Sequence, residues 1–451
     1  MRVRMRTGIV AGMAAAMLVA WAASAPAQVS LSSAVALALR SDPRIRSAQA
    51  DVDKARATLA ATHDAYIPTV SANGGTGAST GVPLSVPVVF SLSSQSLLFN
   101  FSQKDNVRAA ASGLEAAKLA LQEAQDKVAE DVVVTYLNLN NAQQRQAAMT
   151  QEHGFATRLV SIVQERLDAG LDSRIDLLHA QRTAKQIELQ QLQTDDEISE
   201  LTNHLANLIG MPGNALQAVP SSIPALPPVK TLITDAPASF GVQAAIASAR
   251  SKQELAFGEA RYRFRPQLSL GANYSRISTN HTDYVDYYPG FHLKSDNAAS
   301  IGIEIVIPLL DRAHEARAHE AAADARRARF DAEAQSTLFL EGRFKLQRSA
   351  AELSAQSDLA EIDRDLAQEQ VNTVLLQLSA NSADAEKTQM TPKDEQSARL
   401  TERERTVDLL NAQFQLTQLQ VNLMRQTGQL DIWLKTAAAA PAATIATPAA
   451  P

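Results

Sequence analysis

The chain has 451 residues, a formal net charge of −6, 45% hydrophobic, 20% charged and 5% aromatic residues, and no cysteine. The missing cysteine excludes a disulfide framework, a thiolate metal site, a cysteine nucleophile and a lipid-modified N-terminal cysteine, and the mildly acidic balance argues against a nucleic-acid binder, which carries a basic stripe. Much of the apolar share is alanine, which favours helix and lets helices approach closely but fills little core volume, so long helices in thin layers are expected.

In chain order, Arg2, Arg4 and Arg6 precede an apolar run from Ile9 to Ala23, and Ala25-Pro26-Ala27 offers small residues to a signal peptidase. This is the pattern of an export signal over 1–27, with cleavage after Ala27 and Ala23-Ser24-Ala25 as the second choice. The run is shorter than the roughly 20 residues a spanning helix needs. No later stretch is long and apolar enough to span as a helix, so membrane insertion would have to use β-strands.

From there the pattern reads as one plan used twice, over 28–208 and 239–434. Tyr66-Ile67-Pro68 resembles Phe264-Arg265-Pro266, Leu98-Phe99-Asn100 resembles Leu309-Leu310-Asp311, and Asp176-Leu177-Leu178-His179-Ala180-Gln181 resembles Asp408-Leu409-Leu410-Asn411-Ala412-Gln413. Helices are expected at Leu31–Asp64, Gln103–Leu167 and Ser173–Leu208 in the first copy. The second copy predicts Ser239–Arg263, Arg312–Leu376 and Thr401–Leu434. The helix from Gln103 is interrupted only by Gly113 and Gly154, and about 65 residues at 1.5 Å each make ~100 Å. Leu114, Ala117, Leu121, Ala124 and Val128 give it a three-four seam. Two short helices end to end nearly match one long one, as a layer of helices with strands at one end and turns at the other requires. Between the copies, 209–238 is a linker whose prolines, Pro212 through Pro237, exclude continuous helix, and 435–451 is an Ala/Pro tail expected to be disordered.

Strands are expected at about 69–99 and 267–309. Leu268, Leu270, Ala272 and Tyr274 alternate with Ser269, Gly271, Asn273 and Ser275; Ile301, Ile303, Ile305 and Ile307 alternate with Ser300, Gly302, Glu304 and Val306; Val88, Phe90 and Leu92 alternate with Val89, Ser91 and Ser93. Period-two alternation gives one apolar and one mostly polar face. A transmembrane barrel turns the apolar face to lipid and a soluble sandwich turns it inward, so the pattern fits both, and the export signal favours the barrel. Glu304 is then a candidate lumen residue tuning ion selectivity, or one solvated carboxylate. The loop Thr279–Asn297, with Tyr284, Tyr287, Tyr288 and Phe291, suits an extracellular loop with an aromatic girdle. Four strands cannot close a barrel, so spanning requires oligomerisation.

The turn Leu167-Asp168-Ala169-Gly170-Leu171-Asp172-Ser173 places Gly170 at a left-handed C′ position and offers Asp172 or Ser173 as the next helix cap. The second copy lacks the glycine there, and Thr391 with Pro392 would restart a helix. No catalytic constellation is present. His314 and His319 stand five apart, one more than a zinc-protease helix uses, and read as surface residues. No cofactor, no resident metal and no enzyme activity are expected.

The ordered set resembles the TolC-like outer-membrane efflux protein family. It comprises Asp42-Pro43, Tyr66-x-Pro68, Leu98-Phe99, Arg166-x-x-x-Gly170-Leu171-x-x-x-x-Asp176 and Leu205-Ala206-x-x-Ile209-Gly210, then Pro266, Pro308-Leu309-Leu310-Asp311 and Asp408. The resemblance implies a mainly α fold with a membrane β-barrel: two tandem helix-strand-strand-helix repeats, four strands per chain, and a homotrimer. The trimer would have a twelve-stranded barrel in outer-membrane lipid and a long periplasmic α-helical barrel. It also implies an exit duct for drug efflux or type I secretion, docked on a periplasmic adaptor and an inner-membrane transporter. Arg166, Gly170 and Leu171 then fall at the periplasmic docking tip, and Asp176 and Asp408 are candidate gate residues. A soluble periplasmic coiled-coil adaptor or scaffold is the alternative; it would carry one helical hairpin flanked by glycine-rich β-domains, whereas this chain reads as two hairpins with little other β.

Overall fold

A computed structural model describes residues 27–76, 88–211, 216–232, 238–262, 265–277, 297–380 and 390–439. The expected export signal, the aromatic loop and part of the second turn fall outside these residues. In chain order the elements are β1 (Ala27–Val29), α1 (Leu31–Ser41), α2 (Pro43–Asp64), β2 (Thr69–Gly74), β3 (Val88–Phe99), α3 (Phe101–Asp168) and α4 (Arg174–Leu208). They continue with β4 (Leu216–Ala218), α5 (Val229–Leu232), α6 (Phe240–Ala260), β5 (Gln267–Ile277), β6 (Asn297–Val306), α7 (Arg312–Ala380), α8 (Pro392–Gln426) and α9 (Leu430–Ala439). The succession helix, strand, strand, very long helix, helix occurs twice, as α2-β2-β3-α3-α4 and as α6-β5-β6-α7-α8.

Helix α3 has 68 residues and α7 has 69, about 100 Å each at 1.5 Å per residue. Gly113 and Gly154 do not break α3. The expected helix Leu31–Asp64 is instead two helices. Asp42 precedes Pro43, and the proline ring disfavours helical backbone in the residue before it; Asp42 is extended, with φ −64° and ψ 127°. Its carboxylate then receives the Arg44 backbone N–H at 2.7 Å and the Arg44 guanidinium at 2.8 Å, so the break is also the cap of α2. The Arg44 hydrogen bonds hold the Asp42 carboxyl below its usual range. The expected helix Thr401–Leu434 starts earlier, at Pro392, and ends at Gln426, where Gly428 takes φ +69° before α9 begins.

Contacts divide the chain into two compact units: 1–46, 124–239 and 340–451 form the first, 47–123 and 240–339 the second. Each unit therefore takes segments from both halves of the sequence.

The first unit is organised around Tyr136 of α3, which is fully buried. Its hydroxyl accepts the Val219 N–H at 2.7 Å and donates to the Val29 carbonyl at 2.8 Å. Ser222, 3.0 Å from the same hydroxyl, accepts the Leu31 N–H. One phenol thus ties α3 to the segment after β4 and to β1, which pairs in parallel with β4 from Ala27↔Leu216 to Val29↔Ala218. Burial raises the Tyr136 pKa, which keeps the donor protonated. Gly210 closes α4 with φ +73°, and a Cβ there would stand 2.8 Å from Ser41 Cβ, so glycine is required on two counts. Trp433 of α9 is buried and donates to the Ala225 carbonyl at 3.2 Å, anchoring α9 on the proline-rich segment between the copies.

In the second unit α3 and α6 approach closely over small residues. Ser102 donates to the Gly258 carbonyl at 2.7 Å and Ser251 to the Ala109 carbonyl at 2.7 Å. Asp105 is fully buried and pairs with Arg261 at 3.1 Å and Arg108 at 3.0 Å. His314, read above as a surface residue, is 12% exposed. Its ring lies 3.8 Å from the Tyr262 ring centroid, and its Nε2 is 2.9 Å from the Glu259 carbonyl. The five-residue spacing to His319 carried no information about this cross-helix packing.

Tyr136→Phe leaves the part-buried Val219 N–H without its acceptor. The substitution is expected to lower unfolding stability by about 1–3 kcal/mol, read as a shift of the denaturant midpoint; an unchanged midpoint would remove Tyr136 from the centre of this unit.

Candidate functional site

The first candidate region is the turn between α3 and α4. Helix α3 ends in a Schellman arrangement: Gly170 has φ +75°, its N–H reaches the Leu167 carbonyl at 2.9 Å, and the Leu171 N–H reaches the Arg166 carbonyl at 2.8 Å. Only a residue tolerant of the left-handed region sits at that position without strain. Helix α4 then opens with a capping box. The Asp176 N–H reaches Ser173 Oγ at 3.2 Å, and Asp176 Oδ2 accepts from the Ser173 N–H at 3.0 Å and its hydroxyl at 2.6 Å, satisfying two otherwise orphaned donors. These bonds, Ser173 first, hold the Asp176 carboxyl below its usual range.

Sequence reasoning did not find Lys393, the second residue of α8. Arg166 grips Asp172 bidentately, Nε to Oδ2 at 3.1 Å and a terminal nitrogen to Oδ1 at 3.2 Å. Lys393 Nζ stands 3.2 Å from Asp172 Oδ2 and 3.8 Å from Asp176 Oδ1. The Asp172 side chain is 8% exposed, and its pKa is lowered by Arg166 first and Lys393 second. The start of α8 is thereby fastened to the first turn. Beside this fastening, Leu171, Ile175 and Leu178 are 67%, 65% and 54% exposed.

The two gate candidates are not brought together. Asp176 is the third residue of α4, and the third residue of α8 is Asp394. Its Oδ2 accepts the Thr391 N–H at 2.8 Å and the Thr391 hydroxyl at 2.7 Å. Helices α4 and α8 both have 35 residues, and each is followed two residues later by a positive-φ glycine, Gly210 or Gly428. Asp394 therefore occupies the place of Asp176. Asp408 lies 14 residues further along α8, about 21 Å by helical rise, and binds Arg405 at 3.0 Å.

Asp408 instead borders Glu152 of α3 and Glu404 of α8. Glu152 is 7% exposed, and burial, then Glu404 and Asp408, pushes its pKa from 4.5 to about 7.

The second candidate region is the sheet, ordered β2-β3-β5-β6 and antiparallel throughout. The register puts Ser71, Ser93, Asn273 and Ser300 across one face, with Glu304 opposite Ser269 on that same face. Glu304 is the only charged side chain of that face among the described residues. The other face carries Leu92, Leu270, Ile301, Ile303 and Ile305, with Phe90 and Tyr274 in edge contact at 6.3 Å. Ile301, Ile303 and Ile305 are 78%, 64% and 62% exposed. A soluble antiparallel sheet covers its apolar face; here that face is bare in β6. No helix among the described residues is long and apolar enough to cross a membrane, and no three His, Cys, Asp or Glu among them could hold a metal ion.

Residues 34–211 match the family described as Outer membrane efflux protein. The fold is that of TolC-like outer-membrane channels. The outer membrane protein VceC from Vibrio cholerae aligns with TM-score 0.70 at 18% identity, over 88% of this chain and 96% of its own. The Campylobacter jejuni CmeC outer membrane channel aligns with TM-score 0.70 at 16% identity, over 90% and 89%. The Neisseria gonorrhoeae MtrE outer membrane channel aligns with TM-score 0.67 at 16% identity, over 89% of each. Protein CyaE of Bordetella pertussis is 28% identical over 319 residues, 66% of this chain and 64% of that protein, so the match spans a little under two thirds of the relative's length. The matched segment and the fold are those of outer-membrane channels.

The Glu152 shift has a sign that can be tested. Between pH 4.5 and about 7 the folded chain keeps a proton that the unfolded chain has lost, so this group's contribution to stability falls as pH rises through that window and is level above it. Glu152→Gln is expected to raise stability by up to about 3 kcal/mol at pH 8 and to change nothing at pH 4.5, measured as denaturant midpoints at the two values.

Proposed function

We propose that this chain is the exit duct of a tripartite efflux or type I secretion machine: a homotrimer passing substrates delivered by an inner-membrane transporter and a periplasmic adaptor. The observation that carries the reading is the sheet. Its four strands have open edges at β2 and β6, one face hydroxyl- and amide-lined and the other bearing bare isoleucines. Open edges are not tolerated in lipid, and three copies would supply twelve strands, a barrel with a wet lumen and an apolar exterior. The ~100 Å helices that follow β3 and β6 then extend the duct into the periplasm.

On this reading the α3–α4 turn is the docking end, with Leu171, Ile175 and Leu178 offered to the adaptor. The Arg166–Asp172–Lys393 fastening limits how far α8 can part from α3 and α4, so it acts on the aperture. Asp176 is a capping residue first, and any gating part it plays runs through Lys393. The scaffold alternative leaves the isoleucine face of β6 in water, which opposes it.

Ion conductance of the detergent-purified protein in a planar bilayer tests the proposal. Discrete single-channel steps are expected, growing in Lys393→Ala. A folded, oligomeric protein that is silent in both forms and stays in solution without detergent would replace the duct with the scaffold.

Glu304 adds a second, separable expectation. Three carboxylates around a wide lumen act over about one Debye length, roughly 10 Å at 0.1 M salt and 3 Å at 1 M. Glu304→Gln is therefore expected to reduce the cation preference of the reversal potential at 0.1 M salt and to leave it unchanged at 1 M. An equal preference in both proteins at 0.1 M would make Glu304 an ordinary solvated carboxylate.

A further inference from the structure

Helices α3, α4 and α8 of the first unit border an open pocket of about 340 Å³. It is bordered by Arg145, Met149, Glu152, Glu197, Glu404 and Asp408. The charges do not balance. Arg145 is taken by Glu197 from α4, and Asp408 is taken by Arg405 from its own helix. Among the described residues Glu404, whose side chain is exposed, has no cation within ion-pair distance, and Glu152 has neither an ion pair nor a hydrogen-bond partner although it is 93% buried. A buried carboxylate without a partner is costly, so such a group either keeps its proton or awaits a cation from outside the chain.

The lining narrows the kind of cation. No three carboxylate or imidazole groups among the described residues are grouped to coordinate a metal ion, so the occupant must bring its own hydrogen-bond donors. Buried Glu152 and exposed Glu404 border an open pocket that also presents the apolar Met149 and Val407 and the amides of Gln190 and Gln193. The volume is at the small end of organic-ligand sites.

We propose that this pocket is a binding site for a small aliphatic diamine, whose ammonium groups would answer Glu152 and Glu404 while its methylenes lie against Met149 and Val407. Entry of the dication requires Glu152 to be ionised, so binding releases the proton that the empty pocket holds. This inference stands apart from the duct reading, since it needs neither a barrel nor an adaptor.

Calorimetric titration of the full chain in detergent with 1,4-diaminobutane, at pH 7 in two buffers of different ionisation enthalpy, tests it. Saturable binding is expected with release of part of a proton per chain, because burial raises the Glu152 pKa to about 7, and with affinity rising from pH 6 to pH 8. In Glu152→Gln, an isosteric change that removes only the charge, the proton release is expected to vanish and the affinity to fall at least about tenfold, the equivalent of one charge-assisted hydrogen bond. Glu404→Gln is expected to weaken binding while keeping the proton release. Absence of saturable heat from the folded wild-type chain would overturn the proposal, whether the pocket is closed to ligands or filled by a neighbouring copy. So would unchanged affinity and unchanged proton release in Glu152→Gln.

Discussion

Backbone N–H and C=O groups at the edges of a sheet must find partners, and in lipid only another strand can supply them. The four-stranded sheet of this chain has two such edges, β2 and β6, and this requirement shapes the elements around it. Both long helices start where a strand has just ended, and both starts are capped by an Asx side chain. The Ser102 N–H reaches Asn100 Oδ1 at 2.8 Å at the head of α3, and the His314 N–H reaches Asp311 Oδ1 at 2.9 Å at the head of α7. Only Asn100 separates β3 from α3, and residues 307–311 separate β6 from α7, so a strand is followed within a few residues by a helix of about 100 Å.

The far ends of the helices are governed by equally local chemistry. Three helices end on glycines in the left-handed region, Gly170, Gly210 and Gly428. Two restart on hydroxyl residues answered by an aspartate three positions on, Ser173 with Asp176 and Thr391 with Asp394. These devices set α4 and α8 to the same length although the turns before them differ in sequence and in extent. The ion pairs of Arg166, Asp172 and Lys393 are then a tertiary addition joining two ends already fixed by their own caps.

Most of this was legible in the sequence because the signals are local. Long runs free of breakers gave α3 and α7 to within a few residues, period-two alternation gave the two faces of the sheet, and Gly170 announced the end of α3. The single helix expected over Leu31–Asp64 failed at Asp42-Pro43, where a proline ring and an aspartate cap divide it. The matched segments beginning at Asp176 and Asp408 misled in another way. Six similar residues establish likeness but not distance from a helix end, and the caps show that Asp394 holds the equivalent position. Lys393 was invisible because its partner Asp172 is 221 residues away, and the burial of Glu152 depends on two other helices meeting α3.

The interleaving of the two compact units has a consequence for how the chain comes to be folded. The first unit needs residues before 46, between 124 and 239, and beyond 340, and its strand β1 waits for β4 almost two hundred residues later. The second unit needs two separate stretches, the later one ending at 339. Neither can be completed by the first half of the chain, so structure cannot accumulate in the order in which residues emerge. Long-range closure of this kind is slow, and the early half must persist with apolar helix faces unmatched until the late half arrives. A cell that makes this protein has to keep the growing chain from aggregating over that interval.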